Sequence, residues 1–241
     1  MQLRGARVLV TGAAKRLGRH MALALAEAGC DVAVHYHRSR SEALETCTEI
    51  EALGRRAIAI QGDLADPSAP QRIMATAVSG LGGIDVLVNS ASLFRRGDFR
   101  QTSVDDWDET LAVNLRAPFF LCQAFAAQIG ERPGHIVNIA DWRAERPGVN
   151  FVAYQISKAG LLTLTASLAQ ALGPNVQVNA IAPGAILPAG AEDEAWFRSL
   201  RARLPLKRTG SPIDITEGLL YLLRSDFITG EVLRITGGEH L

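Results

Sequence analysis

Short apolar runs recur along the chain, separated by longer segments of helical composition. The runs lie at 7–10, 31–35, 57–60, 84–88, 136–140, 176–181 and 231–235. They are rich in Val, Ile and Leu and lack the polar alternation of a strand with one wet face. That pattern predicts strands buried on both sides. The intervening segments read as helices at 17–28, from Ser41 to near Gly54, 67–81, from Ser103 through Asn114 and Pro118 to Ile129, 154–172, 192–203 and 212–223. Local punctuation agrees. Gly29 is placed to end the first helix, Ser41 with Glu42 and Glu45 to open the second, and Gly82-Gly83 to end the third.

Strand and helix alternate throughout, which specifies a parallel sheet with helices on both faces. Right-handed crossovers make this a single-domain, doubly wound, Rossmann-type α/β fold with a seven-stranded sheet over residues 1–241. Such a sheet presents its ligand crevice at the carboxyl ends of its strands. No linker composition interrupts the chain.

Composition narrows the partners. The 241 residues are 48% hydrophobic and carry a formal net charge of zero. Nothing here favours nucleic acid or an anionic membrane surface. Cys30, Cys47 and Cys122 are too widely spaced for a metal site or a disulfide framework. They are expected as small buried residues, with no metal and a reducing, cytoplasmic setting. No stretch reads as long enough to span a bilayer, and the N-terminus lacks a signal-type apolar region.

The candidate chemistry gathers around the fifth run. Asp141 follows it, at the end where ligands bind. Tyr154 and Lys158 are four apart on the next helix, so both side chains point to one side. An acid, a phenol and an ammonium can thus meet in one crevice. The lysine favours the phenolate and suits the phenol to proton transfer near neutral pH. A Tyr and a Lys at this spacing also arise by chance on many helices, so the pair takes its weight from the rest of the chain.

The first strand-to-helix turn runs Thr11-Gly12-Ala13-Ala14-Lys15-Arg16-Leu17-Gly18. Its glycines permit close approach to a pyrophosphate, and the helix N-terminus offers free N–H groups. Lys15 and Arg16 add positive charge there. The second strand continues as His35-Tyr36-His37-Arg38-Ser39-Arg40, with no acid before Glu42. A site for NAD(H) wants a carboxylate at this place. Two arginines and a serine suit a 2′-phosphate instead, hence NADPH/NADP+.

With these pieces together the chain resembles the short-chain dehydrogenase/reductase family over essentially its whole length. The resemblance rests on Thr11-Gly12 with Gly18, Asp63-Leu64, Asn89-Ser90-Ala91, Asn114, Tyr154 with Lys158, and Pro183-Gly184, in this order and spacing. It implies hydride transfer from a bound nicotinamide and a homo-oligomer, commonly a tetramer. It also implies cofactor contacts along the first turn (Gly12, Lys15, Arg16, Leu17, Gly18) and after the second strand (His35, Tyr36, His37, Arg38, Ser39). Further contacts would come from Asp63 and Leu64, from Asn89, Ser90 and Ala91, from Tyr154 and Lys158, and from Pro183 and Gly184. Asn114 would kink its helix and hold a water of the proton relay.

The departures from the family pattern point to one branch. Arg16 replaces the middle glycine of the first turn, Ser90 and Ser92 stand in the Asn89 motif, and Asp141 replaces the serine thirteen positions before Tyr154. These choices, with Phe94 and His35 to Ser39, resemble pteridine reductases, and the C-terminal tail resembles bacterial dihydromonapterin reductases. The implied substrate is a pterin or dihydrofolate. Phe94 would stack on its ring, Arg16 and Ser92 would meet its polar edge, and Asp141 and Tyr154 would face its reacting bond. The family's threonine after Pro183-Gly184 is missing, since Ile186-Leu187-Pro188 fills that stretch.

The chemistry of Asp141 points the same way. A serine hydroxyl can donate to the oxyanion of a reduced carbonyl, whereas an ionised Asp repels it. An imine nitrogen needs a proton, which an Asp beside a tyrosine can help supply. A plain ion pair of Asp141 with Arg143 or Arg146 is the competing reading. Trp142 is expected in the core or an interface. Trp196 and Phe197 fall in the irregular connection at 185–205, which is expected to act as a substrate lid. Two other functions compete: a carbonyl or 3-oxoacyl reductase, and a catalytically silent nucleotide-binding protein.

Overall fold

A computed structural model describes residues 1–188, 190 and 193–241. Seven strands form one parallel sheet in the order β3-β2-β1-β4-β5-β6-β7. They are β1 (Arg7–Val10), β2 (Asp31–Tyr36), β3 (Ala57–Gln61), β4 (Val86–Asn89), β5 (Gly134–Ile139), β6 (Val176–Pro183) and β7 (Val232–Ile235). Every residue of β2, β4 and β5 is buried, as expected of strands covered on both faces.

Alternation along each strand divides the core into two layers. Val8, Val10, Val32, Val34, Val86 and Val88 face α1 (Arg16–Glu27), α2 (Arg40–Ala52) and α8 (Pro212–Arg224). Leu9, Ala33, Leu87, Ile136 and Val178 face α3 (Ala69–Leu81) and α5 (Ala117–Ile129) on the other side, where Phe125 is fully buried. The remaining helices are α4 (Val104–Leu111), α6 (Val152–Leu172) and α7 (Glu194–Ser199). Cys30, Cys47 and Cys122 are free and buried, and burial pushes their thiols up to about 12, 11 and 12.

Several boundaries move for identifiable reasons. The second helix begins at Arg40 with Ser39 as its N-cap, while the Ser41 hydroxyl turns to the Glu42 carboxylate. The third begins two residues later than expected because Asp66 accepts from the Ser68 N–H and closes a turn there. The helix expected at 192–203 is α7 followed by a 3₁₀ turn, Leu200–Ala202, and Glu192 lies outside the described residues.

The segment from Ser103 to Ile129 corrects a further expectation. α4, a π-helical turn at Ala112–Arg116 and α5 run on as one helix, Val104–Ile129. It has 26 residues and a mean hydropathy of 1.2 in its most apolar window, so by length and composition it could cross a bilayer. Its apolar residues Leu121, Cys122, Phe125 and Ile129 are buried in the core layer beside α3, as in the core helix of a folded domain.

Candidate active site

The strand order reverses direction between β1 and β4, and a cleft of about 470 Å³ opens there. Gly12, Lys15, Arg16, Leu17, Gly18, His35, His37, Asp63, Leu64, Ser90 and Ala91 line it. Ser92, Phe94, Asp141, Tyr154, Lys158, Pro183 and Gly184 complete the wall. Other expected site residues stand behind or beside it. Tyr36, Asn89 and Asn114 are buried, Arg38 is exposed and Ser39 is half-buried.

The first turn is held from three sides. Thr11 Oγ1 accepts the N–H groups of Ser90 and Ala91 at 2.9 and 3.0 Å, tying the end of β1 to the end of β4. His35 Nδ1 accepts the Gly12 N–H at 3.2 Å, and its Nε2 donates to the Gly62 carbonyl at 3.1 Å. That pairing requires the neutral Nε2–H tautomer, and burial pushes this imidazole down to about 4. Gly18 packs so tightly on the turn that a Cβ would lie 2.2 Å from the Gly12 carbonyl oxygen.

Two basic residues of the turn are already engaged. The Lys15 ammonium lies 3.0 Å from the Glu42 carboxylate. Arg16 has a left-handed φ of 54°, which explains why glycine is the usual residue here. Its guanidinium donates to the Pro188 carbonyl at 2.6 Å and reaches the 185–205 connection. Arg38 and Arg40, both exposed, flank Ser39 just after β2. The Ser39 hydroxyl makes no capping bond; in the first turn of the 13-residue α2 the Glu42 carboxylate takes its own backbone N–H, and the Arg40 N–H donates to the Arg38 carbonyl at 3.1 Å.

At the reacting end Tyr154, on the first turn of α6, donates its phenolic O–H to Asp141 Oδ2 at 2.9 Å. Asp141 Oδ1 accepts the Arg143 backbone N–H at 2.8 Å, and the Arg143 guanidinium lies 3.7 Å away. The aspartate therefore meets both Tyr154 and Arg143, so the two readings of this residue describe one arrangement. Burial raises the Tyr154 phenol well above its ordinary value, and the negative charge of Asp141 raises it further. This corrects the expectation that Lys158 lowers it. The lysine ammonium donates to the Ile139 carbonyl at 2.7 Å and sits 5.7 Å from the phenol ring centre. Burial pushes it down to about 8, with Asp141 opposing.

Asn114 lies in the π-helical turn, which interrupts the α-helical hydrogen bonding at the place where a kink is expected. Its Oδ1 accepts the Leu93 N–H at 2.8 Å, and its Nδ2 donates to the Leu93 carbonyl and to Ser157 Oγ at 2.9 and 3.1 Å. It thus pins the backbone just before Phe94. Phe94 lies face to face with Phe151, ring centres 4.3 Å apart, and edge-on to Tyr154 at 4.7 Å. One face of Phe94 is therefore covered, and a flat ligand could use only the other.

Phe151 was not legible as a site residue. It adopts a left-handed φ of 63° as the N-cap of α6, and nothing in the sequence sets it apart from other phenylalanines. Ile186 and Leu187 also line the cleft, in the stretch where the family carries a threonine. Trp142 is half-buried with the Arg143 guanidinium over its ring, and Trp196 on α7 is 53% exposed.

Comparison with known proteins places this geometry. The profile of the family described as Enoyl-(Acyl carrier protein) reductase matches residues 12–240. An L-rhamnose 1-dehydrogenase (NAD(P)(+)) from a Sphingomonas species is 38% identical over 250 residues, covering 99% of this chain and 98% of that protein. The 3-oxoacyl-[acyl-carrier-protein] reductase FabG of Staphylococcus aureus is 34% identical, covering 97% of each chain. Among solved structures, FolM alternative dihydrofolate reductase 1 from Brucella canis, complexed with NADP, superposes with a TM-score of 0.92 at 34% identity. That match covers 100% of this chain and 96% of the other.

Proposed function

The chain belongs to the short-chain dehydrogenase/reductase family, and on that premise we propose that it is an NADPH-dependent reductase of a pterin-type C=N bond. The observation that carries this reading is Asp141 accepting the Tyr154 hydroxyl at 2.9 Å, where a carbonyl reductase of the family has a serine. A carboxylate there opposes an oxyanion and suits a substrate nitrogen that must gain a proton. The likeness to the Brucella FolM structure supports the same choice.

The cleft fits the cofactor. The turn from Gly12 to Gly18, braced by Thr11 and His35, would cradle the pyrophosphate with the N-terminus of α1. Arg38 and Ser39 would take the 2′-phosphate, with His37, Asp63 and Leu64 beside the adenine end. Ser90, Ala91, Lys158, Pro183 and Gly184 would flank the nicotinamide end. NADPH, when bound, supplies the hydride.

The protein's own residues handle the proton. The raised pKa keeps Tyr154 protonated at neutral pH, so it is a donor in its resting form. Tyr154 gives its proton to the substrate nitrogen, and Asp141, the acceptor of its resting hydroxyl, holds that donor in place. Lys158 keeps a positive charge under the ring, and Asn114 fixes the Leu93 backbone that carries Phe94. Phe94 offers its uncovered face to the pterin, with Arg16 and Ser92 at the polar edge. The described residues 185–188, 190 and 193–205 would close over it as a lid, Ala189, Ala191 and Glu192 of the same connection lying outside the described residues.

The relatives support a second reading, an enzyme of the alcohol–carbonyl pair that oxidises a sugar lactol with NADP+ or reduces a 3-oxoacyl thioester with NADPH. A panel of 7,8-dihydropterins and an acetoacetyl thioester with NADPH, and of simple sugars with NADP+, separates the two. The pterin reading requires dihydropterin turnover with kcat/KM at least about tenfold above any carbonyl compound, and fails if the order is reversed. We also propose a homotetramer. An apolar groove of about 750 Å³ between α4, α5 and α6, lined by Leu111, Leu115, Phe119, Phe120 and Leu164, supports it. Sedimentation at micromolar concentration tests it.

A further inference from the structure

The C-terminal tail passes behind the reacting end of the cleft and brings a carboxylate there. Glu239 Oε2 accepts the Ala185 N–H at 2.9 Å. The same oxygen lies 2.8 Å from where a Cβ on Gly184 would sit, so the glycine leaves room for the acid. Its other oxygen, Oε1, lies 3.9 Å from Arg143 Nη2, while Arg143 Nη1 lies 3.7 Å from Asp141 Oδ1. The side chains of Glu239 and Asp141 are only 12% and 13% exposed. Two screened carboxylates therefore share one guanidinium, which closes fully on neither.

The remaining neighbours do not relieve that competition. The indole N–H of Trp142 faces Glu239 but is buried without a hydrogen-bond partner among the described residues. Burial raises the Glu239 carboxyl above its ordinary range, and Arg143 opposes the rise. On the Asp141 side the charged and titratable groups are Tyr154 and Lys158, from α6. On the outer side Glu145 is held by Arg234, with His240 nearby.

We propose that Glu239 is a positioning residue of the reaction, holding the Asp141–Tyr154 pair through Arg143 and the cofactor wall at Gly184 through Ala185. Without the charge at position 239, Arg143 can move onto Asp141 and draw that carboxylate away from the Tyr154 hydroxyl. This rests on the reductase reading of the cleft, with Tyr154 as proton donor, and not on the identity of the substrate.

Two substitutions separate the two tasks. Glu239→Gln keeps an oxygen to accept the Ala185 N–H and loses the charge, whereas Glu239→Ala loses both. The readouts are kcat, the KM for NADPH and the pH profile of kcat/KM. They are taken with 7,8-dihydrobiopterin or, if the wild type turns over only carbonyl compounds, with an acetoacetyl thioester. Failure of the pterin reading thus leaves the test standing. Glu239→Gln should leave the NADPH KM within about twofold, lower kcat by about tenfold and displace the pH profile by about half a unit or more. Glu239→Ala should in addition raise the NADPH KM by about fivefold. Arg143→Gln combined with Glu239→Gln should be no worse than Arg143→Gln alone, since both act through one contact. A Glu239→Gln profile that superimposes on the wild type overturns the proposal, as do multiplicative effects of the two substitutions. Loss of folding in Glu239→Gln alone also overturns it, because the acid would then be purely structural.

Discussion

Acidification should unfold this protein through its buried histidines before its carboxylates respond. His35 is 2% exposed, and burial pushes its imidazole down to about 4, against an ordinary value near 6.5. The unfolded chain therefore takes up the proton first, and stability falls as pH drops below 6.5 and continues to fall toward 4. A difference of about 2.5 pH units at about 1.36 kcal/mol each gives roughly 3.4 kcal/mol in full, of which about 2 kcal/mol is lost between pH 7 and pH 5. His135 is likewise pushed down to about 4, by burial and then by the N-terminal ammonium, and adds a comparable loss in the same window. The depressed carboxylates, such as Asp214 at about 2, titrate below this window when folded and contribute little within it. At about 2–4 °C per kcal/mol for a chain of this length, the melting temperature at pH 5 should be about 8–16 °C below that at pH 7. Urea midpoints for wild type and His35→Asn at pH 7, 6 and 5, at one protein concentration, isolate the first histidine. The variant is less stable at pH 7, having lost the bonds to Gly12 and Gly62, but its loss between pH 7 and 5 should be smaller by about 2 kcal/mol. A variant with the wild-type pH slope would falsify the assignment, because His35 would then titrate equally in both states.

Substitutions at three positions probe the cleft. Arg38→Asp should narrow or reverse a strong preference for NADPH over NADH, measured as the ratio of dissociation constants; equal wild-type affinities would remove the basis for the 2′-phosphate assignment. Phe94→Ala should lower kcat/KM for a dihydropterin by about tenfold or more and change NADPH affinity less, and unaltered pterin kinetics would leave Phe94 only its stacking with Phe151. Asp141→Asn and Asp141→Ser should each depress kcat on a pterin by about 10²-fold and alter the pH profile, with NADPH still bound. A serine variant as fast as the wild type on pterins, with an unchanged profile, takes Asp141 out of the proton path.

The fold was legible because burial on both faces leaves a simple signature, runs of Val, Ile and Leu at regular intervals. The crevice was legible for the same reason, since strand order fixes where carboxyl ends converge. Side-chain partnerships were less so. Lys158 reads as the partner of Tyr154 by spacing alone, yet its ammonium is claimed by the Ile139 carbonyl at the end of the neighbouring strand. Lys15 likewise answers to Glu42. Phe151 reaches Phe94 only because the chain takes a left-handed turn into α6, and Glu239 reaches Arg143 only because the tail folds back past Gly184. Such contacts join residues far apart in sequence, and no local pattern encodes them.

The sheet order has a consequence for how the chain comes into being. β1 lies between β2 and β4, and the Thr11 and Val88 that meet at the cleft are 77 residues apart. A chain emerging from the ribosome can pair β1 with β2 early, but the other edge of β1 has no neighbour until β4 is made. At about 5–20 residues per second that interval is roughly 4–15 s. Throughout it, the backbone of Val8, Leu9 and Val10 presents an open, apolar strand edge, the kind that recruits foreign strands. The crevice that comes to hold the ligand is thus first the place where the half-made chain is most exposed to the wrong partner.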